Sequence, residues 1–481
     1  MLVATVLSVA PVFAASCESL ASLALPDTII TSAQVVASNK DLAPYCRVAA
    51  TLKPSSDSDI KIEVWMPASG WNGKFEAVGN GGWSGAISTP ALAAAVQRGF
   101  ASASTDTGHE GSSARFALDH PEKLVDYGYR AVHEMTLKSK AIIAAYYGKS
   151  AKLSYWNGCS AGGKQGLKEA QRFPEDFDAI IAGAPAYNWT GRAAHALWIA
   201  QAVHGDEASY IPPAKYALIH NAALEACDAR DGVKDGIVDD PTRCQFDPKV
   251  LECKGADGSA CLTAPQVEAA RRIYSGVANS RTKEQIFPGL EPGSELGWAV
   301  MAGPQAFGIA QEHFKYVVFK DPSWDYRTLN FDSDIALAEK TDNGIINATD
   351  PNLRPFFSHG GKLLQYHGWN DWQIAPRSSV NYYKTVLDTL GGAAKVKDSY
   401  RLFMVPGMGH CGGSEGTDHF DMLTAMEQWV ENGKAPDQII ASRVKDGAID
   451  RTRPLCPYPQ VANYRGSGST DEAANFVCKA P

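Results

Sequence analysis

The chain predicts an α/β fold in which a mostly parallel sheet, covered by helices on both faces, is interrupted by one large insertion. Three observations carry that prediction. Short apolar strands alternate with helical stretches through the first 186 residues, a glycine-rich turn GCSAGG joins one such strand to the next helix, and the same rhythm returns at Lys362 after a long irregular stretch. Strand–helix alternation favours parallel strands buried on both faces, because each crossover lays a helix on the sheet.

In chain order, IKIEVWM from Ile60 to Met66 and the run Phe75 to Val78 read as strands; a helical stretch around Ala91 to Arg98 and a strand Ala101 to Thr105 follow. Val125 to Tyr147 has helical periodicity. Lys152 to Gly158 is a short strand entering the glycine turn, Lys164 to Gln171 a helix, and Ala179 to Ala184 a buried strand. Between about Tyr187 and Pro355 the pattern breaks into Gly, Pro, Asp and Trp with only scattered helical signals, such as Ala264 to Tyr274. The expected organisation is therefore a first core segment over 16–186, an inserted lid over 187–355 and a second core segment over 356–481. In the last of these, KLLQYHG is a strand, Arg377 to Leu390 a helix, RLFMVPG a strand and Asp421 to Asn432 a helix.

Composition sets the outer limits. Hydrophobic residues make up 45% of the 481 and charged ones 20%, which excludes a mainly disordered chain. The balance of 45 Lys+Arg against 53 Asp+Glu gives a formal charge of −8 and excludes a basic nucleic-acid binder. Beyond the N-terminus nothing reaches the roughly 18 consecutive apolar residues of a spanning helix, so no membrane partner is expected. Residues 1–15, MLVATVLSVAPVFAA, are apolar and end in small residues, with Val12 and Ala14 at signal-peptidase spacing; they read as an export signal that lacks the usual basic start. The ten cysteines agree with a secreted or periplasmic protein. They are even in number and have no C-x-x-C spacing, so five disulfides are expected in an oxidising compartment. Sequence neighbours suggest Cys227–Cys244, Cys253–Cys261 and Cys456–Cys478, leaving Cys17 with Cys46 and Cys159 with Cys411.

Gly158-Cys159-Ser160-Ala161-Gly162 has the form G-x-S-x-G, the nucleophile elbow of α/β-hydrolases, and lies between a predicted strand and helix as that motif demands. Such a serine needs a base and an acid that orients it, supplied in the chain order Ser, Asp, His. Asp371 follows the Lys362 strand and His410 follows the Arg401 strand, at the carboxyl ends where open α/β sheets place their sites. His367 and His109 are the alternative bases. For an oxyanion hole, Ala161 supplies one N–H and the Gly79-Asn80-Gly81-Gly82 loop the second, with Gly82 preferred and Gly81 the alternative.

A further constellation runs from Cys227 to Asp240. Asp228, Asp231 and Asp235, separated by glycines, can turn several oxygens inward, and the carbonyls of Val233 and Ile237 would complete the set for a hard Ca²⁺ ion. The spacing is not that of an EF-hand, and such an ion, in the lid, would be structural. No organic cofactor is called for. Trp298, Phe307, Phe314 and Tyr316 are the lid aromatics that could stack on an aryl ring.

Taken together, these residues resemble the tannase/feruloyl esterase family of α/β-hydrolases from Cys46 to Cys478. Cys159-Ser160, Asp371 and His410-Cys411 fit the family's CS-D-HC arrangement, and WNGKFEAVGNGGWSG, STDTGHEG, FDAIIAGAPA and RTRPLCPYPQVANYRGSGS look like family segments. The resemblance implies a secreted serine esterase that cleaves esters of aromatic acids, with a disulfide between Cys159 and Cys411 beneath the triad and Ca²⁺ held by Asp228, Asp231, Val233, Asp235 and Ile237. The implied substrate is a small aromatic ester: feruloyl esters first, with gallate esters of tannins or mono(2-hydroxyethyl) terephthalate as alternatives. A triad alone does not separate ester from amide cleavage, so a serine peptidase on the same core, or a non-catalytic calcium-binding relative, stand as rival expectations.

Overall fold

A computed structural model describes residues 14–38 and 40–481. The export signal expected at 1–15 lies, apart from Ala14 and Ala15, outside the described residues. The central sheet is built from β1 (Thr28–Val36), β2 (Tyr45–Leu52), β3 (Ile60–Pro67), β4 (Lys74–Val78), β5 (Ala101–Thr105), β6 (Leu153–Cys159) and β7 (Ala179–Gly183). After the insertion, which carries the small hairpin β8 (Val277–Ala278) and β9 (Gln285–Phe287), the sheet gains β10 (Lys362–Gly368) and β11 (Tyr400–Val405). Its order is β1-β2-β3-β5-β4-β6-β7-β10-β11. The six strands from β5 to β11 in that order run parallel, and β1, β2 and β3 add an antiparallel edge.

Period-two alternation explains how both faces fill. Trp156, Ile180, Leu363 and Leu402 point to one face, under the helices Ala131–Tyr147, Ala161–Arg172 and Arg377–Leu390. Their neighbours Tyr155, Ile181, Leu364 and Phe403 point to the other, against Phe100 and the Met422–Asn432 helix with Met426 and Trp429. The predicted strands and helices of the core agree with the structure within a few residues; the helix expected over Val125–Tyr147 is continuous and starts earlier, at Pro121, with one wide π-helical turn at Asp126–Arg130.

The insertion differs more from expectation. It contains the well-formed helices Trp189–His204, Tyr216–Cys227, Ala264–Ser275 and Ser333–Asp342. Its apolar side chains form one cluster with Trp83, Tyr127 and Ala161 of the core, so the insertion is packed directly onto the neighbours of Ser160. The chain closes with two hairpins, Ile439–Lys445 with Ala448–Leu455 and Val461–Tyr464 with Phe476–Lys479. All five expected disulfides are present: Cys17–Cys46, Cys159–Cys411, Cys227–Cys244, Cys253–Cys261 and Cys456–Cys478. Among the described residues no helix is long and apolar enough to cross a membrane.

Candidate active site

Ser160 sits where β6 turns into the Ala161–Arg172 helix, with φ 63° and ψ −121°, a conformation that L-residues adopt only when their surroundings enforce it. Here the surroundings do so. The Ser160 N–H donates to the Gly183 carbonyl at 2.9 Å, and its own carbonyl accepts from Lys164 N at 3.0 Å and Ala186 N at 3.1 Å. The turn closes only because Gly163 has no side chain: a Cβ there would lie 2.3 Å from the Gly183 carbonyl oxygen.

His410 and Asp371 arrive from the loops after β11 and β10. The Ser160 Oγ lies 2.9 Å from His410 Nε2, and His410 Nδ1 lies 2.7 Å from Asp371 Oδ2. Asp371 is fully buried. Its Oδ1 accepts the Gln373 and Ile374 N–H groups at 2.7 and 2.9 Å, and its Oδ2 also faces His367 Nε2 at 3.0 Å. Burial alone would raise the Asp371 carboxyl, but the charge of His410 and hydrogen bonds from both histidines hold it well below the usual carboxylate range. Cys411, with φ 63°, ties this loop to the residue before Ser160 through Cys159, with Cα atoms 6.0 Å apart.

Neither alternative base touches Ser160. His367 stands behind Asp371, its Nδ1 2.7 Å from the Ser379 hydroxyl. His109 faces the Trp83 carbonyl at 2.8 Å through Nε2 and stacks on Phe116, with burial lowering its pKa; it braces the Gly79–Gly82 loop.

That loop is clamped onto the elbow helix by residues that sequence reasoning missed. Asn80 N donates to Gln165 Oε1 at 3.0 Å, Gln165 Nε2 returns to Asn80 Oδ1 at 3.2 Å, and Asn80 Nδ2 donates to the Ala86 and Thr105 carbonyls at 2.9 and 2.8 Å. Asn80 and Gln165 lie 85 positions apart, so no local pattern links them. Gly82 has φ 52°, and its carbonyl accepts from the Tyr127 hydroxyl at 2.6 Å. Ala161, as the first residue of its helix, presents an N–H outside the helical ladder. Gly81 is exposed and uses its carbonyl in a turn with Ser84.

Two of the four insertion aromatics are corrected. Trp298 and Phe314 are fully buried: the Trp298 indole N–H donates to Ser294 Oγ at 3.0 Å, and Phe314 stacks with Trp324. Their apolar area is spent on the insertion's own core. Phe307 and Tyr316 are half-buried. Ile309 was also missed; its Cδ1 would stand 2.9 Å from a Cβ on Gly82.

The aspartate loop folds on itself. Asp228 accepts the Asp235 and Gly236 N–H groups, both at 3.0 Å, and Asp231 accepts Val233 N at 2.9 Å. Burial, with repulsion from Asp235, pushes Asp231 up to about 6, and burial with repulsion from Asp231 pushes Asp239 up to about 8. Asp235 pairs with Arg451 and Arg453. The loop offers only oxygen donors, the chemistry that a hard divalent cation takes, but the Asp228, Asp231 and Asp235 carboxylates are not among the side-chain groups that converge to within ligand distance of one another.

A strained serine on a strand-to-helix turn, within hydrogen-bond reach of a histidine held by a buried aspartate, on a doubly covered parallel sheet, defines an α/β-hydrolase. The family described as tannase and feruloyl esterase matches residues 46–479. An esterase of Xanthomonas campestris pv. campestris is 39% identical over 96% of this chain and 91% of that protein. A probable feruloyl esterase B-1 of Aspergillus fumigatus is 36% identical over 89% of this chain and 85% of that protein. Among solved structures, feruloyl esterase B from Aspergillus oryzae superposes with a TM-score of 0.91 at 31% identity, covering 96% of this chain and 99% of that one. Tannin acyl hydrolase from Aspergillus niger shares the fold, with a TM-score of 0.81 at 24% identity over 96% and 93% of the two chains. The chain belongs to the tannase and feruloyl esterase family and is a carboxylic ester hydrolase.

Proposed function

We propose that this enzyme is an exported serine esterase cleaving esters of aromatic acids, hydroxycinnamoyl esters of the feruloyl type first, through an acyl-enzyme. The observation that carries the reading is the unbroken relay from Ser160 through His410 to Asp371 at 2.9 and 2.7 Å. Ser160 Oγ attacks the ester carbonyl while His410 Nε2 takes its proton, and Asp371 fixes the tautomer and balances the imidazolium. The N–H groups of Gly82 and Ala161 receive the oxyanion. His410 then protonates the departing alcohol, and water repeats the sequence to free the acid. The insertion serves as a lid over the site. The feruloyl preference is supported by the named activity of the Aspergillus relatives, and export by the five disulfides.

Calcium is part of the proposal. Carboxylates of Asp228, Asp231 and Asp235 and carbonyls of Val233 and Ile237 would hold it, and it would add to the positive charge that Arg451 and Arg453 bring to Asp235, a structural role away from Ser160. Chelation should lower the melting temperature by several degrees, with Ca²⁺ restoring it; an unmoved melt speaks against the site.

The deciding experiment is hydrolysis of methyl ferulate, methyl gallate and mono(2-hydroxyethyl) terephthalate by disulfide-bonded protein, beside Ser160→Ala. Methyl ferulate should turn over fastest, and the variant should lose a factor of at least about 10³. Failure on all three esters by folded, calcium-loaded protein would overturn the reading.

A further inference from the structure

We propose that His133, Glu169 and Asp176 form a metal site of their own, apart from the aspartate loop, and that it takes a borderline divalent cation of the Zn²⁺ class. The site does not depend on which ester the enzyme cleaves.

The fold gathers these side chains at the end of the elbow helix away from Ser160. His133 lies on the Ala131–Tyr147 helix, Glu169 in the last turn of the Ala161–Arg172 helix, and Asp176 in the turn that leads on to β7. Glu169 is nine residues beyond Ser160, roughly 14 Å along the helix axis. A cation there would brace the elbow helix against its neighbour without touching the reacting atoms.

One ligand atom from each of the three groups lies within 4.8 Å of the other two. His133 Nδ1 and Asp176 Oδ2 are 2.6 Å apart, and Phe173 stacks on the imidazole at 3.8 Å and 12°, which fixes the plane of the ring. Ligand atoms of a tetrahedral Zn²⁺ stand about 3.4 Å from one another, so small side-chain rotations turn this spacing into coordination. A nitrogen ligand beside two carboxylates is a set that Zn²⁺ accepts, whereas Ca²⁺ takes oxygen ligands. His133 is half-buried, so water can reach the cluster as a fourth ligand.

Glu169 supplies the need for a cation. It is 1% exposed, and among the described residues neither of its carboxylate oxygens has a hydrogen-bond partner. Burial and the charge of Asp176 hold its carboxyl well above the usual carboxylate range, so the occupant that a metal ion displaces is a proton. The cationic side chains nearby are turned to other groups. Lys140 Nζ donates to the Asp176 carbonyl, Lys168 Nζ to the Gly344 and Asn347 carbonyls, and the Arg172 guanidinium lies 3.9 Å from the Tyr129 ring. The C-terminus of the elbow helix adds the negative end of its dipole, which a cation also offsets. A buried acid without a partner is costly, and a divalent ion shared with His133 and Asp176 provides that partner.

The test is calorimetric titration of Zn²⁺ into chelator-stripped protein resaturated with Ca²⁺, with bound metal counted by mass spectrometry after desalting. One Zn²⁺ per chain should bind in the micromolar range or tighter and raise the melting temperature. Losing even an outer-shell partner of a metal costs about 10–100-fold in affinity, so His133→Gln and Glu169→Gln, each alone, should weaken binding at least tenfold and abolish the rise. Co²⁺ in place of Zn²⁺ should give visible absorption bands that His133→Gln alters. No stoichiometric uptake in the presence of Ca²⁺, or uptake unchanged in either variant, would overturn the proposal. The two variants lie on different helices and are read independently, so either one gives the answer where the other fails to fold.

Discussion

Asp371 takes four donors, two from backbone N–H groups and two from imidazoles, and this crowding separates the roles of the two histidines around it. His410 lies between Asp371 and Ser160, whereas His367 only holds Asp371 from behind. Replacing Asp371 by Asn keeps the volume but removes the anion that sets the His410 tautomer, and kcat for an aryl ester should fall about 10⁴-fold. His367→Gln removes one anchor of the carboxylate and should cost about tenfold to a hundredfold. Steady-state kinetics on methyl ferulate decide it, and equal losses in the two variants would mean that His367 shares the relay. The serine, aspartate and proximal histidine were legible in the sequence because each follows a strand with turn residues around it. The part played by His367 was not, since a histidine next to the acid looks the same in sequence whether it serves as base or as buttress.

At the scale of elements, the Gly79–Gly82 loop has its position dictated by the elbow helix through Asn80 and Gln165. Gln165→Leu leaves the Asn80 N–H buried without an acceptor, a cost of about 1–3 kcal/mol, and lets the loop drift from Ser160. The expected outcome is a loss of about tenfold or more in kcat with KM little changed, because in the proposed mechanism the loop's N–H serves the oxyanion rather than the ground state. A change confined to the melting temperature would reduce the clamp to a structural one. A second clasp joins the Tyr216–Cys227 helix to the His410 loop: His220 Nδ1 lies 2.9 Å from Glu295 Oε2 and its Nε2 3.5 Å from Glu415 Oε1. Burial alone would push the imidazolium down, but the two glutamates outweigh it and raise His220 to about 9. With the folded pKa above the free value of about 6.5, this stabilisation is complete below that pH and is lost as pH climbs through about 9. Thermal melts from pH 6.5 to 9.5 should therefore fall more steeply for the native protein than for His220→Gln. Parallel curves would remove His220 from the pH response.

For the molecule as a whole, the sheet and its covering helices were readable because each strand between β3 and β11 is a short apolar run beside a turn, while the insertion hid its helices. The Trp189–His204 helix is buried almost all round, from Trp189 and Ala193 through Leu197 to Val203, so its sequence lacks the one-sided stripe that marks an amphipathic helix. The edge strand β1 buries no residue: Ile29, Thr31, Gln34 and Val35 are exposed and the others half-buried, and its apolar residues flank a polar middle instead of forming a buried run. The Cys159–Cys411 bridge matters at this scale because it spans 252 positions, across the entire insertion. A loop of that length corresponds to a chain-entropy contribution of about 5 kcal/mol, so the double replacement Cys159→Ala/Cys411→Ala should lower the melting temperature while four other bridges keep the fold. The kinetic consequence is separate from the thermodynamic one. Without the bridge, the His410 loop is held to the elbow only by its packing and by Asp371, and Ser160 and His410 spend less time at 2.9 Å. Activity measured at 25 °C, well below the variant's own melting point, should fall by at least about tenfold because proton transfer requires that approach. An unchanged rate in a variant that merely melts earlier would make the bridge a staple for the fold and leave the alignment of the base to the packing of the loop.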